Sequence, residues 1–243
     1  MKTKMLTLLL LVTMITTLEA QMADKPAVIV ETMYVLPKHN MEDKFEAAVK
    51  AHNTKFHPPG PYVASLRKVN YGDRAGWYIW IMGQTDYAAL DTHPAKEGGH
   101  DDDWNNTVDP LIEKYDAPVI NEYQSDLSTG YDIFKQFDNY EIWLVHLKAG
   151  QNGKFKSLME KMQKVYQSLG NRTMLTYSNP LHTTNSPDYS LVFGFTTYVD
   201  WGKDWGVKTA YEKLNGAGSW KNLLDEWNEC VASYDSELRS KIK

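Results

Sequence analysis

The sequence predicts an α+β fold in which two similar units follow one another along the chain, at residues 26–127 and 138–238. Three observations carry this prediction. Segments of the first half recur in the second at a nearly constant spacing, and both halves show the same order of strand and helix patterns. The chain of 243 residues is also long enough to bury a core with its own apolar side chains.

The internal repeat consists of three blocks that occur in the same order in both halves. The segment beginning at Tyr78 recurs 111 residues later at Tyr189, with Tyr, Gly, Thr and Tyr at matching positions. The matched blocks are 31–45 with 141–155, 78–87 with 189–198, and 120–127 with 231–238. Three ordered matches at spacings of 110 or 111 residues are typical of a repeated structural unit.

Each half predicts the element order βαββαβ. Apolar stripes at helical spacing follow the first strand of each half, between Met41 and Phe56 and between Phe155 and Leu169. This order is that of the ferredoxin-like unit, an antiparallel sheet with both helices on one face. The uncovered face of such a sheet needs a partner. We expect the second unit to supply it, so that one chain forms a barrel-like pseudo-dimer.

The N-terminus has the layout of a secretory signal peptide. Lys2 and Lys4 precede an apolar run over residues 5–15, and cleavage is expected after Ala20. The run is shorter than the roughly 20 residues that a membrane-spanning helix needs. The sequence therefore predicts a secreted or periplasmic protein without a membrane partner after cleavage. Whether the chain forms a homo-oligomer stays open.

Composition and missing motifs exclude several classes of function. A formal net charge of −5 argues against nucleic acid as a partner. The single cysteine, Cys230, allows no intramolecular disulfide. The sequence contains no nucleophile elbow, no phosphate-binding glycine loop and no Cys/His zinc spacing. His52 and His57 are five residues apart across a predicted helix end and form a poor ligand pair, so no metal site is predicted.

The segment Ala88-Ala89-Leu90-Asp91-Thr92-His93, with His100 downstream, resembles the start of the second helix in antibiotic-biosynthesis-monooxygenase-like domains of the dimeric α+β barrel superfamily. The resemblance implies two ferredoxin-like units that form one barrel. It also implies a range of activities, from cofactor-independent oxygenases on quinol-like aromatics to haem-degrading and haem-dependent enzymes and proteins without a known reaction. The local motif is present only in the first half, which suggests a single site.

Candidate binding residues come from the alternation of the strands. Tyr78, Trp80 and Gln84 share one face of a strand, and we expect that face to point into the barrel and bind a flat aromatic molecule. The alternative is that these side chains simply fill the barrel. Tyr34 on the first strand and His146, in phase with inward-facing neighbours on its own strand, complete the predicted binding set.

His93 and His100 are the candidate catalytic residues, since an imidazole exchanges a proton near neutral pH. The run His100-Asp101-Asp102-Asp103 lacks a calcium-loop spacing and favours the start of a helix instead.

Three hypotheses stay open. The first is an exported protein that binds a small hydrophobic or aromatic molecule, with monooxygenase-like chemistry and no cofactor if it is an enzyme. The second is haem binding through His146 or His93. The third is a non-catalytic structural or interaction module with a solid barrel.

Overall fold

The computed structural model describes residues 26–92, 98–181, 183 and 186–242. The predicted signal peptide at residues 1–20 and the candidate base His93 lie outside the described residues. The described strands are β1 (Ile29–Pro37), β2 (Ala64–Tyr71), β3 (Tyr78–Thr85), β4 (Ile112–Tyr115), β5 (Val119–Tyr123), β6 (Asn139–Leu147), β7 (Leu175–Ser178), β8 (Tyr189–Phe195) and β9 (Val231–Lys241).

The helices lie between these strands. They are α1 (Glu42–Phe56), α2 (Tyr87–Thr92), α3 (His100–Asp103), α4 (Tyr131–Phe134), α5 (Asn152–Leu169), α6 (Tyr198–Trp201), α7 (Val207–Asn215) and α8 (Ser219–Cys230). A π-helical turn at Trp104–Val108 continues α3 directly. In the described part of the chain, no helix is both long and apolar enough to cross a membrane.

The strands form one closed antiparallel barrel. Its order is β3-β2-β9-β6-β8-β7-β5-β1, and pairing of β1 with β3 closes the ring while β4 pairs with the outer part of β1. The first half contributes β2-β3-β1-β5, and the second contributes β7-β8-β6-β9 in the same topological order. The β2–β9 and β5–β7 pairings join the two halves. The predicted α+β barrel, with both ferredoxin-like sheets in one chain, is confirmed.

Equivalent aromatic pairs anchor the long helix of each half to its sheet. Phe45 of α1 contacts Tyr78 of β3 with ring centroids 5.2 Å apart, and Phe155 of α5 contacts Tyr189 of β8 at 4.6 Å. Both phenylalanines are fully buried. Tyr78 donates a hydrogen bond to Glu46 of α1, and Tyr189 donates one to Asn152 of α5 at 2.6 Å. The apolar stripes predicted for these helices therefore form the two outer cores.

The predicted orientation of β3 is wrong. Tyr78, Trp80 and Met82 face α1 and belong to the outer core, whereas Ile79 and Ile81 face the barrel interior. The second half repeats this arrangement, since Leu191 and other bulky residues of β8 pack under the helices. The physical reason is that each amphipathic helix needs large side chains opposite its own apolar stripe, so the bulkier face of the strand lies beneath it.

Candidate functional site

The barrel encloses a cavity of about 800 Å³. This volume lies within the roughly 300–1,000 Å³ of small-molecule sites. Its walls are the inward-facing side chains of strands from both halves, and residues of α4 and of the β7–β8 connection contribute at its ends. Aliphatic side chains such as Ile79, Ile81, Ile142, Leu144 and Val192 form the apolar part of the wall. The barrel is therefore not packed solid.

One wall carries a hydrogen-bonded network between the two halves. The Tyr34 hydroxyl donates to Glu237 Oε2 at 2.9 Å, and Arg239 donates both to Glu237 and to the Tyr34 hydroxyl oxygen. The Arg74 guanidinium lies over the Tyr34 ring, 4.5 Å from its centroid. Burial raises the pKa of Tyr34 to about 12, so its hydroxyl stays protonated at neutral pH. Because every polar group here has a partner, this wall is a fixed surface.

A third guanidinium enters the cavity from β2. Arg67 lies over the ring of Tyr140, with its Cζ atom 5.3 Å from the centroid, and donates to the Leu66 carbonyl oxygen. Burial lowers the pKa of Arg67, but a guanidinium still remains a cation at neutral pH. The arginine is therefore a part-buried positive charge beside an aromatic ring.

An amide and two tyrosines form another part of the wall. The Tyr131 hydroxyl of α4 donates to Gln84 Oε1 at 2.6 Å, and Tyr177 of β7 lies beside the same amide. Burial raises the pKa of Tyr131 and of Tyr177, so both phenols are neutral hydrogen-bonding groups. They combine an apolar ring with a polar tip, as expected in a pocket for an aromatic molecule.

The lining is more cationic than the chain as a whole. Its cationic side chains are Arg67, Arg74, Lys135, Arg239 and Lys241, and its carboxylates are Asp116 and Asp235. Glu237 adds a further carboxylate behind the wall, already bonded to Arg239. The chain carries 26 basic and 31 acidic residues, so the cavity reverses the overall sign of the protein. Such a surface favours an anionic or acidic ligand.

The structure divides the sequence-predicted site residues between two places. Tyr34, Gln84 and His146 line the cavity. Tyr78 and Trp80 lie on the other side of β3, under α1. His100 lies on that outer side too, where its Nε2 atom is 3.3 Å from His52 Nε2 and 3.1 Å from His57 Nε2. His146 is therefore the one histidine that the described residues place on the cavity wall.

The charged residues of the cavity were missed in the sequence. Arg67 follows Ser65 in strand alternation, and an arginine at an inward position was the available signal. Arg239 could not be placed, because it lies just beyond the predicted second unit, which ends at residue 238, whereas β9 extends to Lys241. These errors concern side-chain direction and strand length, not the existence of the elements.

No protein-family model matches the chain, and no curated protein sequence matches it. Several solved structures match the fold. A candidate monooxygenase from Lactobacillus acidophilus is 15% identical, with a TM-score of 0.53 over 89% of this chain and 94% of that one. A candidate monooxygenase from Fusobacterium nucleatum is 11% identical, with a TM-score of 0.55 over 90% and 94%.

A third match is a variant chlorite dismutase from Candidatus Nitrospira defluvii in complex with cyanide. It is 9% identical, with a TM-score of 0.55 over 90% of this chain and 92% of that one. At these identities the likeness concerns the fold alone. The chain has the dimeric α+β barrel fold, with both halves of the barrel supplied by a single polypeptide.

Proposed function

We propose that the protein binds a small aromatic molecule with an acidic oxygen function inside the barrel. The observation that carries this proposal is the cavity of about 800 Å³ in which guanidinium groups lie beside tyrosine rings. The aliphatic wall and the tyrosines provide contact for a flat apolar body. A phenolate or carboxylate near Arg67 would form a charge-assisted hydrogen bond in a place of low dielectric constant.

Monooxygenase-like oxidation of the bound aromatic is the enzymatic form of this proposal. Two structures that share the fold are candidate monooxygenases. A cationic cavity favours the deprotonated form of a quinol-like substrate, which is the form that reacts with oxygen most readily. His146 replaces His93 and His100 as the acid/base candidate, because His100 does not line the cavity and His93 lies outside the described residues. Oxygen uptake that depends on a quinol and is lost in His146→Ala tests this step.

The binding proposal is tested with two fluorescent probes of similar shape. Anilinonaphthalene sulfonate carries an anionic group, and N-phenylnaphthylamine lacks it. We expect Arg67→Gln to weaken binding of the anionic probe about tenfold, the effect of losing one charge-assisted hydrogen bond, and to leave the neutral probe within about twofold. Ile81→Trp, which fills the cavity, should weaken both probes.

Lys208→Gln is the matched control, because it removes one positive charge from the exposed surface of α7. It should bind both probes like the wild type. Equal affinity of the wild type and Ile81→Trp for both probes would place the binding outside the barrel and overturn the proposal.

Haem binding is a second candidate, favoured by one observation. His146 provides an imidazole on the cavity wall, which is a common axial ligand of haem iron, and apolar side chains surround the same space. Haem titration of the purified chain should then give a Soret band that His146→Ala shifts or abolishes. A titration without a Soret band would exclude this candidate.

Export is proposed from the sequence pattern of residues 1–20. N-terminal sequencing of protein recovered outside the cytoplasm should begin after Ala20. Recovery of the uncleaved chain in the cytoplasm alone would contradict it.

A further inference from the structure

Three imidazoles from separate parts of the first half meet on the outer side of β3. His52 belongs to α1, His57 follows its last turn, and His100 begins α3. The Nε2 atom of His100 lies 3.3 Å from that of His52 and 3.1 Å from that of His57. One ligand atom from each ring falls within 4.8 Å of those of the other two. The three rings therefore converge through the same nitrogen.

Each ring has an acceptor on its opposite nitrogen. The Nδ1 atom of His52 lies 2.9 Å from Asp103 Oδ2, and that of His57 lies 2.8 Å from the Tyr62 carbonyl oxygen. The Nδ1 atom of His100 lies 2.9 Å from Asp101 Oδ1. Because an ionised carboxylate and a carbonyl oxygen can only accept, all three Nδ1 atoms carry the proton.

The facing Nε2 atoms are then left with lone pairs and no hydrogen between them. A neutral imidazole has only one N–H, and each ring has used its own on Nδ1. Lone pairs 3.1–3.3 Å apart repel one another. His52 is 1% exposed and His57 4% exposed, so water cannot surround these nitrogens. The arrangement needs a cation at its centre, either an extra proton or a metal ion.

We propose that His52, His57 and His100 bind one divalent transition-metal ion of the zinc class. Tetrahedral zinc with Zn–N bonds of about 2.0–2.1 Å holds its ligand nitrogens about 3.3 Å apart. The two Nε2 separations of 3.3 and 3.1 Å match this edge closely. Imidazole ligands suit zinc, copper and nickel, while calcium and magnesium prefer oxygen ligands, which this centre does not offer.

The surroundings of the three rings are those of a built metal centre. A carboxylate or carbonyl on the far nitrogen fixes the tautomer and the ring direction of a metal-bound histidine. The aromatic rings of Phe56, Trp80 and Trp104 contact the imidazoles and exclude water from most of the site. The His100 side chain is 19% exposed. A metal ion would therefore enter from the His100 side, and a water molecule can occupy the fourth coordination position, as in zinc sites with three protein ligands.

The test uses the chain without a polyhistidine tag, stripped with EDTA and titrated with Zn²⁺ and with Co²⁺. We expect one ion per chain, the visible d–d absorption of tetrahedral Co²⁺ and a rise in Tm, because an ion that binds the native state stabilises it. His100→Ala should weaken Zn²⁺ binding at least a hundredfold and abolish the Co²⁺ absorption. His39→Ala removes an exposed histidine and should behave like the wild type.

Asp103→Asn separates a metal centre from a packing cluster. It leaves all three ligands in place but weakens the hydrogen bond that His52 Nδ1 donates to residue 103. We therefore expect about 10–100-fold lower affinity for Zn²⁺ with unchanged stoichiometry. Near-UV circular dichroism checks that each variant keeps its fold. The proposal is overturned if the wild type shows no tetrahedral Co²⁺ absorption, or if folded His100→Ala binds Zn²⁺ like the wild type. An extra proton would then be the cation.

Discussion

The outer cores of the two halves have the same framework but different chemistry at their edges. At the repeat spacing, Phe45 and Phe155 both lie fully buried against a tyrosine. His52 and His57 of the cluster stand 7 and 12 residues beyond Phe45, whereas the second half has Met162 at the place of His52. The counterpart of His100 is Tyr211, which packs within the apolar core of the second half.

This difference shows that the fold does not require the histidines. The same sheet and long helix are covered by methionine and tyrosine in one half and by three imidazoles in the other. Burial of imidazoles costs free energy unless their polar atoms are satisfied. Their convergence is therefore better explained by a ligand than by packing.

The substitutions with the largest expected effect test whether the two outer cores contribute equally to stability. Phe45→Ala and Phe155→Ala should each lower the free energy of unfolding by about 3–5 kcal/mol, because each leaves a cavity beneath its helix. Urea denaturation measures both. If the framework is shared, the two losses should agree within about 2 kcal/mol, which is the spread at fixed chemistry.

An exposed apolar side chain provides the control for these variants. Leu214→Ala removes a side chain that is 52% exposed in α7 and should change stability little. A loss in only one of the two phenylalanine variants would mean that one half carries the stability of the barrel alone.

A smaller effect concerns an ion pair of the second half. Arg172 donates to both oxygens of Asp200, at 3.0 and 2.9 Å, and its guanidinium lies 4.2 Å from the Trp205 ring centroid. At the same spacing the first half has Tyr62 and Ala89, which carry no charge. The hydrogen bonds from Arg172 lower the pKa of Asp200 to about 2. Protonation of Asp200 is thus expected to destabilise the second half in acid.

The sign follows from the depressed pKa. The ion pair contributes its full stabilisation at pH values above 3.8, the pKa of Asp200 in the unfolded chain. This stabilisation is lost as the pH falls through the folded-state pKa of about 2. Since Asp200 is partly exposed, we expect the ion pair to contribute about 1 kcal/mol to the free energy of unfolding. Urea unfolding between neutral pH and pH 2 should show a shallower pH dependence in Asp200→Asn. The exposed Asp225→Asn serves as control. Identical profiles of Asp200→Asn and the wild type would contradict the assignment.

Much of the fold could be predicted from the sequence because it depends on patterns within each half. Apolar stripes in the two long helices and alternation in the strands define the βαββαβ order, and the repeat defines the covering partner. The direction of β3 could not be obtained this way. Both of its faces are apolar, so only the packing of Phe45 against Tyr78 decides which one lies under α1.

The candidate sites were less predictable because they join residues that are distant in sequence. His52 and His57 lack a ligand spacing on their own, and His100, which completes the cluster, is 43 residues beyond His57. The cavity wall likewise combines Tyr34 with Arg239, which are 205 residues apart. The contact of Tyr34 with Arg239 follows from the pairing of β2 with β9, which joins the two halves and which no local pattern specifies.

A substitution with a small expected change in stability is the sharpest test of the comparison. His52→Met gives the first half the residue that the second half has at Met162. In metal-free protein the free energy of unfolding should change by less than about 1.5 kcal/mol, because the substitution fills a similar volume and removes a buried lone pair. The same variant should lose the rise in Tm that Zn²⁺ produces in the wild type.

Met162→Leu is the matched control, since it changes shape at the equivalent place without touching an imidazole. It should keep the Zn²⁺-dependent rise in Tm. A packing role for His52 predicts the opposite result for His52→Met, a large loss of stability that is the same with and without Zn²⁺. A ligand role and a packing role therefore predict different results for the stability without metal and for the rise in Tm with Zn²⁺. Thermal unfolding curves with and without Zn²⁺ distinguish the two roles, whether the bound ion has a catalytic or a structural task.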